Sequence, residues 1–540
     1  RLIAGRVTSH RGRLGSEMAP RTSVARGNAE YDVAGASAAY RSAQEALIER
    51  NNIPGGLRLL EELMVRRGLP PWIEGSARAD MGTALSMIGR RDEAVAQFEY
   101  SLRFQPQRPL TFYNLGLSYG ELGRAEEAEA WYLGALRHGR TEKRDQERQG
   151  LYNPQHAKFM AGVYNNLGNL VHPQGRVGEA QAFYRSAVSV DPQHAMGYNN
   201  LGNTFKEPAK GVVLSDHAAE AGHAYATALA LWPTYPECYK NLGNLLKERK
   251  EWWSASIAAY RSAVKLLPRE RSAFLNLGEL LGWLGRAHAA NVTYALAVQR
   301  GVWAHPQQRP SHFVAGLRGR PWWEPSSLSQ ITRKLRAGYA ALRDEGLALL
   351  AEGEEQFLNY HSPALVSGRW SDVTLAMSGS LQPGALRAPR SAKLLASLGP
   401  DVNTMVMGSA YFSVQSAGSR LQPHCGPTNT RLRIHVGLSV PDGAAMRVGN
   451  ETRAWVEGGE SLIFDDSFEH EVWNPSERPR LVFIVDAWHP DLVTAEQRYE
   501  ALENNAQKRQ YLSVLERLEA GLPLEMAEDM VADRRLRTIY

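Results

Sequence analysis

At 540 residues the chain is longer than one ordinary domain and predicts two or three. Its 43% apolar and 22% charged residues are the balance of a globular protein, and a formal charge of +5 is small for this length. No apolar run reaches the length of a membrane span, and two cysteines far apart, Cys238 and Cys425, exclude a disulfide framework or a zinc site.

Much of the basic excess lies in the first 26 residues, where Arg1, Arg6, Arg11, Arg13, Arg21 and Arg26 face one acid, Glu17. No aromatic or motif accompanies them, so no nucleic-acid partner is predicted. Residues 1–35 read either as a targeting leader or as a disordered tail. The compartment is unknown, and the opening Arg1 in place of Met points to a start upstream. The sequons at Asn291 and Asn450 are short enough to be chance matches.

Next comes an internal repeat. Glycines in similar settings recur at Gly82, Gly116, Gly168, Gly202, Gly243 and Gly278, mostly 34 or 35 residues apart, with insertions of 18 and 7 in the longer steps. Small, aromatic and small residues follow in fixed order: Ala180, Tyr184, Ala187 with Pro192; Ala221, Tyr225, Ala228 with Pro233; Ala290, Tyr294, Ala297; and Ala94, Phe98 with Pro106. The pattern resembles the tetratricopeptide repeat. Small residues let the helices of a hairpin approach, the aromatic fills the gap to the next hairpin, and proline stops the second helix. Residues 36–300 are expected to be an α-solenoid with a helical cap and a concave face that binds a protein or peptide. Candidate loops lie near 138–158 and 205–217.

Residues 301–325, ending Pro321-Trp322-Trp323, read as a connector that docks aromatics. A helix is expected from about Leu328 to Leu358, containing Arg343-Asp344-Glu345-Gly346-Leu347, and an irregular stretch over 360–400. From Asn403 to Trp488 the period changes to two, with strands at 404–415, 431–440, 444–448, 452–456, 461–464, 468–473 and 480–488. That many short strands predict a jelly-roll barrel. In the strand 431–440, Leu432, Ile434, Val436, Leu438 and Val440 form one apolar face, which must be packed. Arg431, Arg433 and His435 line the other. A solvated outer face would be the ordinary reading. A histidine just upstream and Arg480 downstream favour an anion site inside the barrel, because a guanidinium binds carboxylate with two parallel hydrogen bonds. The tail, residues 496–540, is helical and charged.

Two strings carry the chemistry: Pro423-His424-Cys425-Gly426-Pro427-Thr428-Asn429-Thr430-Arg431-Leu432-Arg433-Ile434-His435, and Phe464-Asp465-Asp466-Ser467-Phe468-Glu469-His470-Glu471-Val472-Trp473 with Arg480 beyond. Together they resemble the aspartyl/asparaginyl β-hydroxylase family. The resemblance is dense from about Pro310 to Pro490 and implies a double-stranded β-helix (jelly-roll, cupin-like) catalytic domain over 326–495. It implies Fe(II) bound by His424 and His470, with Gly426 where related oxygenases carry a carboxylate ligand and water in its stead. It also implies 2-oxoglutarate on Arg480 and Ser413, with Arg433 and His435 lining the same pocket, and Arg431 facing the substrate. Asp465 and Asp466 are expected to accept from backbone donors in a turn rather than to bind metal.

The function so implied is dioxygenase chemistry with O2 that hydroxylates the β-carbon of Asp or Asn in a polypeptide presented by the solenoid. The alternatives are a tetratricopeptide adaptor with a non-catalytic barrel, or an oxygenase acting on a small molecule or lipid. Two departures from the family's animal enzymes point to a different substrate. Residues 376–395 hold no cysteine pair, and the stretch before Trp370 reads His361, Ser362, Pro363, Ala364, Leu365, Val366.

Overall fold

The computed structural model describes residues 33–49, 52–66, 68–150, 153–205, 217–353, 357–359 and 364–527. The leader up to residue 32, most of the 205–217 insertion, His361–Pro363 before Trp370 and the end of the tail lie outside the described residues. The chain divides into two compact units between Ala259 and Tyr260.

The first unit is helical. After the helices Val33–Gln44 and Ile53–Met64 come the hairpins Pro71–Met87 with Arg91–Phe104, Pro109–Glu121 with Ala125–Arg148, Pro154–Val171 with Val177–Val190, and Ala195–Thr204 with Ala218–Leu231. Pro71, Pro109, Pro154 and Pro236 each open a first helix, where the missing N–H goes unused. Pro106, Pro192 and Pro233 follow the second helices two residues past their ends. Up to Arg148 the 18-residue insertion is helix rather than loop, since Ala125–Arg148 continues unbroken past residue 138.

The repeat glycine makes room for the aromatic of its own hairpin, not for that of the next. A Cβ on Gly82 would lie 2.7 Å from the Phe98 ring, on Gly116 2.6 Å from Tyr132, on Gly168 2.4 Å from Tyr184 and on Gly202 2.6 Å from Tyr225. Alanine at Gly168 would gain about 1 kcal/mol of helix propensity but would overpack the Tyr184 ring at a cost of about 1–3 kcal/mol. We expect Gly168→Ala to lower the urea midpoint of the helical signal. A raised midpoint would show that the ring has room to move.

The helix Pro236–Lys247 lies in the first unit, the next α-helix, Trp253–Leu266, contains the division, and the last hairpin, Arg271–Trp283 with Ala287–Gln299, lies in the second unit, where a Cβ on Gly278 would lie 2.2 Å from Tyr294. The second unit then builds two antiparallel sheets. The larger contains β1 (Trp322–Trp323), β2 (Leu358–Asn359), β4 (Trp370–Met377), β5 (Ser380–Leu381), β6 (Ser409–Gln415), β8 (Arg431–Ser439), β11 (Ser461–Phe464) and β13 (Arg480–Trp488), in the order β1-β11-β8-β13-β6-β4-β2 with β5 on β4. The smaller contains β3 (Leu365–Ser367), β7 (Ser419–His424), β9 (Ala445–Val448), β10 (Glu451–Ala454) and β12 (His470–Asn474), in the order β10-β9-β12-β7-β3. This is the barrel architecture expected of the second half of the chain.

The larger sheet buries both faces. On one, Leu432, Ile434, Val436 and Leu438 pack with Phe412, Phe483 and Val485 beneath Ile331, Leu335, Leu342, Leu349 and Leu395 of the helices Ser329–Ala337, Tyr339–Ala351 and Pro389–Ser397. On the other, Tyr411, Val482, Ile484 and Phe464 join Leu421, Met446, Val448 and Val472 of the smaller sheet. The predicted apolar face of β8 is therefore the outer one, capped by helices, and its arginine face looks into the barrel. Burial from both sides explains why all nine residues of β13 are buried.

The Arg343–Leu347 motif serves this packing. Glu345 accepts from the Arg390 and Ser391 backbone N–H groups at the start of Pro389–Ser397, and Gly346 lets its helix approach Phe412, since a Cβ there would lie 3.0 Å from the ring. Trp322 and Trp323 form β1 beside β11 and, alternating sides, enter the inner and outer cores respectively.

Several local expectations are corrected. Residues 360–400 are not wholly irregular, since they contain β4 and Pro389–Ser397. The expected strand over 404–415 begins only at Ser409, because the short helix Pro400–Asn403 and a turn precede it. The helix expected from Leu328 to Leu358 breaks at Gly338 into two.

Candidate active site

His424 ends β7, a strand the sequence reading missed, and His470 begins β12; the two stand opposite each other in register across these neighbouring strands. Their rings lie 4.2 Å apart, centroid to centroid. Each Nδ1–H donates to a backbone carbonyl two residues back, His424 to Gln422 at 2.8 Å and His470 to Phe468 at 2.9 Å. That fixes the tautomer and leaves both Nε2 lone pairs for a ligand. Burial disfavours the charged imidazolium in both, and at His470 the His424 ring adds to it, pushing the value down to about 3. Two neutral imidazoles side by side suit a divalent metal.

Among the described residues, no group of three or more His, Cys, Asp or Glu side chains could hold a metal. The place of a third ligand is taken up: a Cβ on Gly426 would lie 2.5 Å from Asp466 Oδ2. Asp466 itself is committed to guanidinium groups. Its carboxylate lies 2.7 Å from Arg431 Nη2 and 3.3 Å from Arg433 Nη1. Asp486 completes the square, 2.8 Å from Arg433 Nε and 3.3 Å from Arg431 Nη1. Of Asp465 and Asp466, only the first takes the backbone-accepting role expected of both. Asp465 does accept from Ser467 N–H at 3.0 Å, and from Gln308 Nε2, but Asp466 makes ion pairs. Arg431 is fully buried and also donates to Met407 O, so a substrate carboxylate reaching it would have to share that pairing.

Arg480 is different. Among the described residues no carboxylate pairs with it, and burial pushes its pKa down to about 9. Its Nη2 donates to Ser413 Oγ at 3.2 Å, its guanidinium lies 4.6 Å over the Trp455 ring, and its Nε has no partner. Ser413 Oγ already accepts from Trp370 Nε1 at 3.0 Å, so its own O–H is left to donate. His435, stacked on Trp455, accepts from Trp455 Nε1 at Nδ1, which places the proton on a buried Nε2 that also lacks a partner. The Phe464 ring stands edge-on between the two parts, 4.9 Å from His435 and 5.7 Å from His470. Unmatched buried donors beside two free imidazole nitrogens fit a metal with an anionic co-substrate.

Trp370, Trp455 and Asp486 were not anticipated. Asp486 was readable, because it lies on the same two-residue period of β13 as Arg480. Trp370 and Trp455 carry no comparable signal, since their role depends on pairings between strands distant in sequence.

Residues 336–490 match the family described as Aspartyl/Asparaginyl beta-hydroxylase, and residues 111–137 and 161–194 match tetratricopeptide repeats. The human protein named Aspartyl/asparaginyl beta-hydroxylase is 38% identical over 229 residues, covering 42% of this chain and 30% of that relative. Human Aspartate beta-hydroxylase domain-containing protein 2 is 41% identical over 136 residues, covering 24% of this chain and 37% of the relative. The chain thus matches only about a third of these relatives' lengths. A tetratricopeptide repeat protein from Parabacteroides merdae, with 13% identity and a TM-score of 0.36, covers 50% of this chain and 94% of its own.

The adjacent aspartates make opposite predictions. Burial raises Asp465 to about 8, so between about pH 4 and pH 8 the folded chain binds a proton that the unfolded chain has lost. Its contribution to stability falls as pH rises through that window. Asp466 is held low against burial by Arg431 and Arg433, so its contribution is present above about pH 4 and lost as pH falls through its folded value. Asp465→Asn should cost at most about 1 kcal/mol and flatten the loss toward pH 8. Asp466→Asn, which leaves buried guanidinium groups short of an anion, should cost about 3–5 kcal/mol. Urea titrations at several pH values measure both, and equal losses at the two positions would contradict these assignments.

Proposed function

The chain carries an aspartyl/asparaginyl β-hydroxylase domain behind tetratricopeptide repeats, and from that premise we propose that it is an Fe(II)- and 2-oxoglutarate-dependent dioxygenase that hydroxylates the β-carbon of Asp or Asn residues in a polypeptide held by the repeats. The observation that carries this reading is the set of buried, unmatched donors on Arg480 and His435 beside a histidine pair with both Nε2 atoms available.

His424 and His470 would hold the iron through Nε2. The free edge of the Arg480 guanidinium and the Ser413 O–H would take the far carboxylate of 2-oxoglutarate, and His435 and Arg433 would line the same pocket. A planar fork suits that task, because two parallel charge-assisted hydrogen bonds fix the carboxylate's orientation. Trp455 and Phe464 wall the pocket with apolar surface, which keeps water from the bound anion and strengthens every polar contact inside. Bound there, iron with 2-oxoglutarate and O2 would supply the oxidising chemistry that replaces a β-carbon C–H by C–OH and releases succinate and carbon dioxide.

Arg431 would meet the substrate side chain, sharing its pairing with Asp466. A polypeptide substrate is supported by the repeats themselves, since stacked helical hairpins offer an extended surface for a chain. Among the described residues no helix is long and apolar enough to cross a membrane.

With Fe(II), 2-oxoglutarate and a library of Asp- and Asn-bearing peptides, the purified chain should release succinate in step with peptide hydroxylation. His470→Ala should abolish turnover. Arg480→Lys should raise the 2-oxoglutarate requirement about 10-fold or more, the cost of one lost charge-assisted hydrogen bond. Unchanged co-substrate dependence in Arg480→Lys would remove Arg480 from this role.

A further inference from the structure

The segment after the last helical hairpin does more than connect. Gln307 O accepts from Glu469 N–H at 2.6 Å, Arg309 N–H donates to Ser467 O at 3.0 Å, and His312 N–H donates to Pro427 O at 2.8 Å. Residues 307–312 are thus bonded to both loops that carry the candidate ligands, the one after His424 and the one before His470.

Arg309 is the centre of this arrangement. Its side chain is nearly fully buried. Nη2 donates to Glu469, the residue before His470, at 2.6 Å, and Nη1 to Pro306 O at 2.7 Å. Its guanidinium lies 4.1 Å over the ring of Tyr294, the aromatic of the last hairpin. A planar cation stacked on one face and forked at its edge is held in one orientation, and it holds Glu469 in turn.

In two earlier hairpins the residue after the glycine, Asn169 and Asn203, accepts from the hydroxyl of its own aromatic; in the last hairpin that position is Glu279. Burial pushes the Tyr294 phenol up, Arg309 opposes that, and the Glu279 charge adds to it.

We infer that Arg309 is a positioning residue for the histidine pair, and that the last hairpin, through Tyr294, is a working part of the catalytic unit rather than the end of a separate array. This rests on His424 and His470 being the metal ligands. Groups that orient a ligand from behind commonly carry 10- to 100-fold of metal affinity, and here that support comes from a helix outside the barrel. It follows that a fragment beginning after residue 300 lacks part of its own iron site.

The test is Mn(II) binding to the full chain, read by electron paramagnetic resonance, which needs no turnover. Arg309→Met should weaken binding about 10-fold in the folded protein, and Tyr294→Leu should weaken it in the same direction. The double variant should be no worse than the poorer single one, because both break one contact. Tyr294→Phe keeps the ring, and Arg318→Lys changes an exposed pair elsewhere on the same segment; both should bind as wild type does. If Arg309→Met does not fold, Glu469→Gln removes the same ion pair at a partly exposed position and carries the measurement. Variants that melt earlier but bind Mn(II) with unchanged affinity would overturn the inference and leave the iron reading standing. A wild-type chain that binds no Mn(II) would overturn both.

Discussion

Two arginines inside a barrel set the terms for everything around them. Arg431 is fully buried and Arg433 partly so, and an unpaired charge at Arg431 would cost several kcal/mol. Asp466 and Asp486 meet them in a square of ion pairs. Such a cluster adds little net stability, because desolvation consumes most of what attraction returns, but losing one member is expensive. Its value is positional. Asp466 lies four residues before His470, and Asp486 lies six after Arg480 on the same strand. Satisfying the two arginines of β8 therefore locates the turn that presents one histidine and the strand that presents the co-substrate arginine. With its neighbours neutralised, Arg480 remains a buried cation whose Nε lacks a partner among the described residues.

The larger sheet makes such a cluster possible. Helices cover its outer face, so the strands are dry on both sides, and a polar row on β8 has nowhere to look but inward. The histidines need less. Two backbone carbonyls hold their Nδ1 atoms, and the ladder between β7 and β12 sets their separation.

Much of this was legible in the chain. The alternation over Arg431–Val440 separated an apolar face from a cationic one, and the glycine period of the repeats marked the hairpins. Legibility stopped where a role depends on pairing across long sequence separation. Nothing near Trp455 says that it will stack on His435, and nothing near Gln308 says that it will hold Asp465. In the 18-residue insertion, period alone does not distinguish a longer helix from a break, although the charged run Arg137–Arg148 suits a solvated helix. The repeat period placed the end of the helical hairpins near residue 300, where the last of them ends at Gln299, but carries no signal for the compact division at 259/260.

The most direct test is an anomalous difference map at the iron edge from crystals of the full chain grown with Fe(II) and a non-decarboxylating 2-oxoglutarate analogue. One peak should appear, bonded to Nε2 of both His424 and His470, with the analogue's far carboxylate on Arg480 and Ser413. A peak held by other residues, no peak at all, or an analogue seated on Arg431 instead of Arg480 would contradict the assignment.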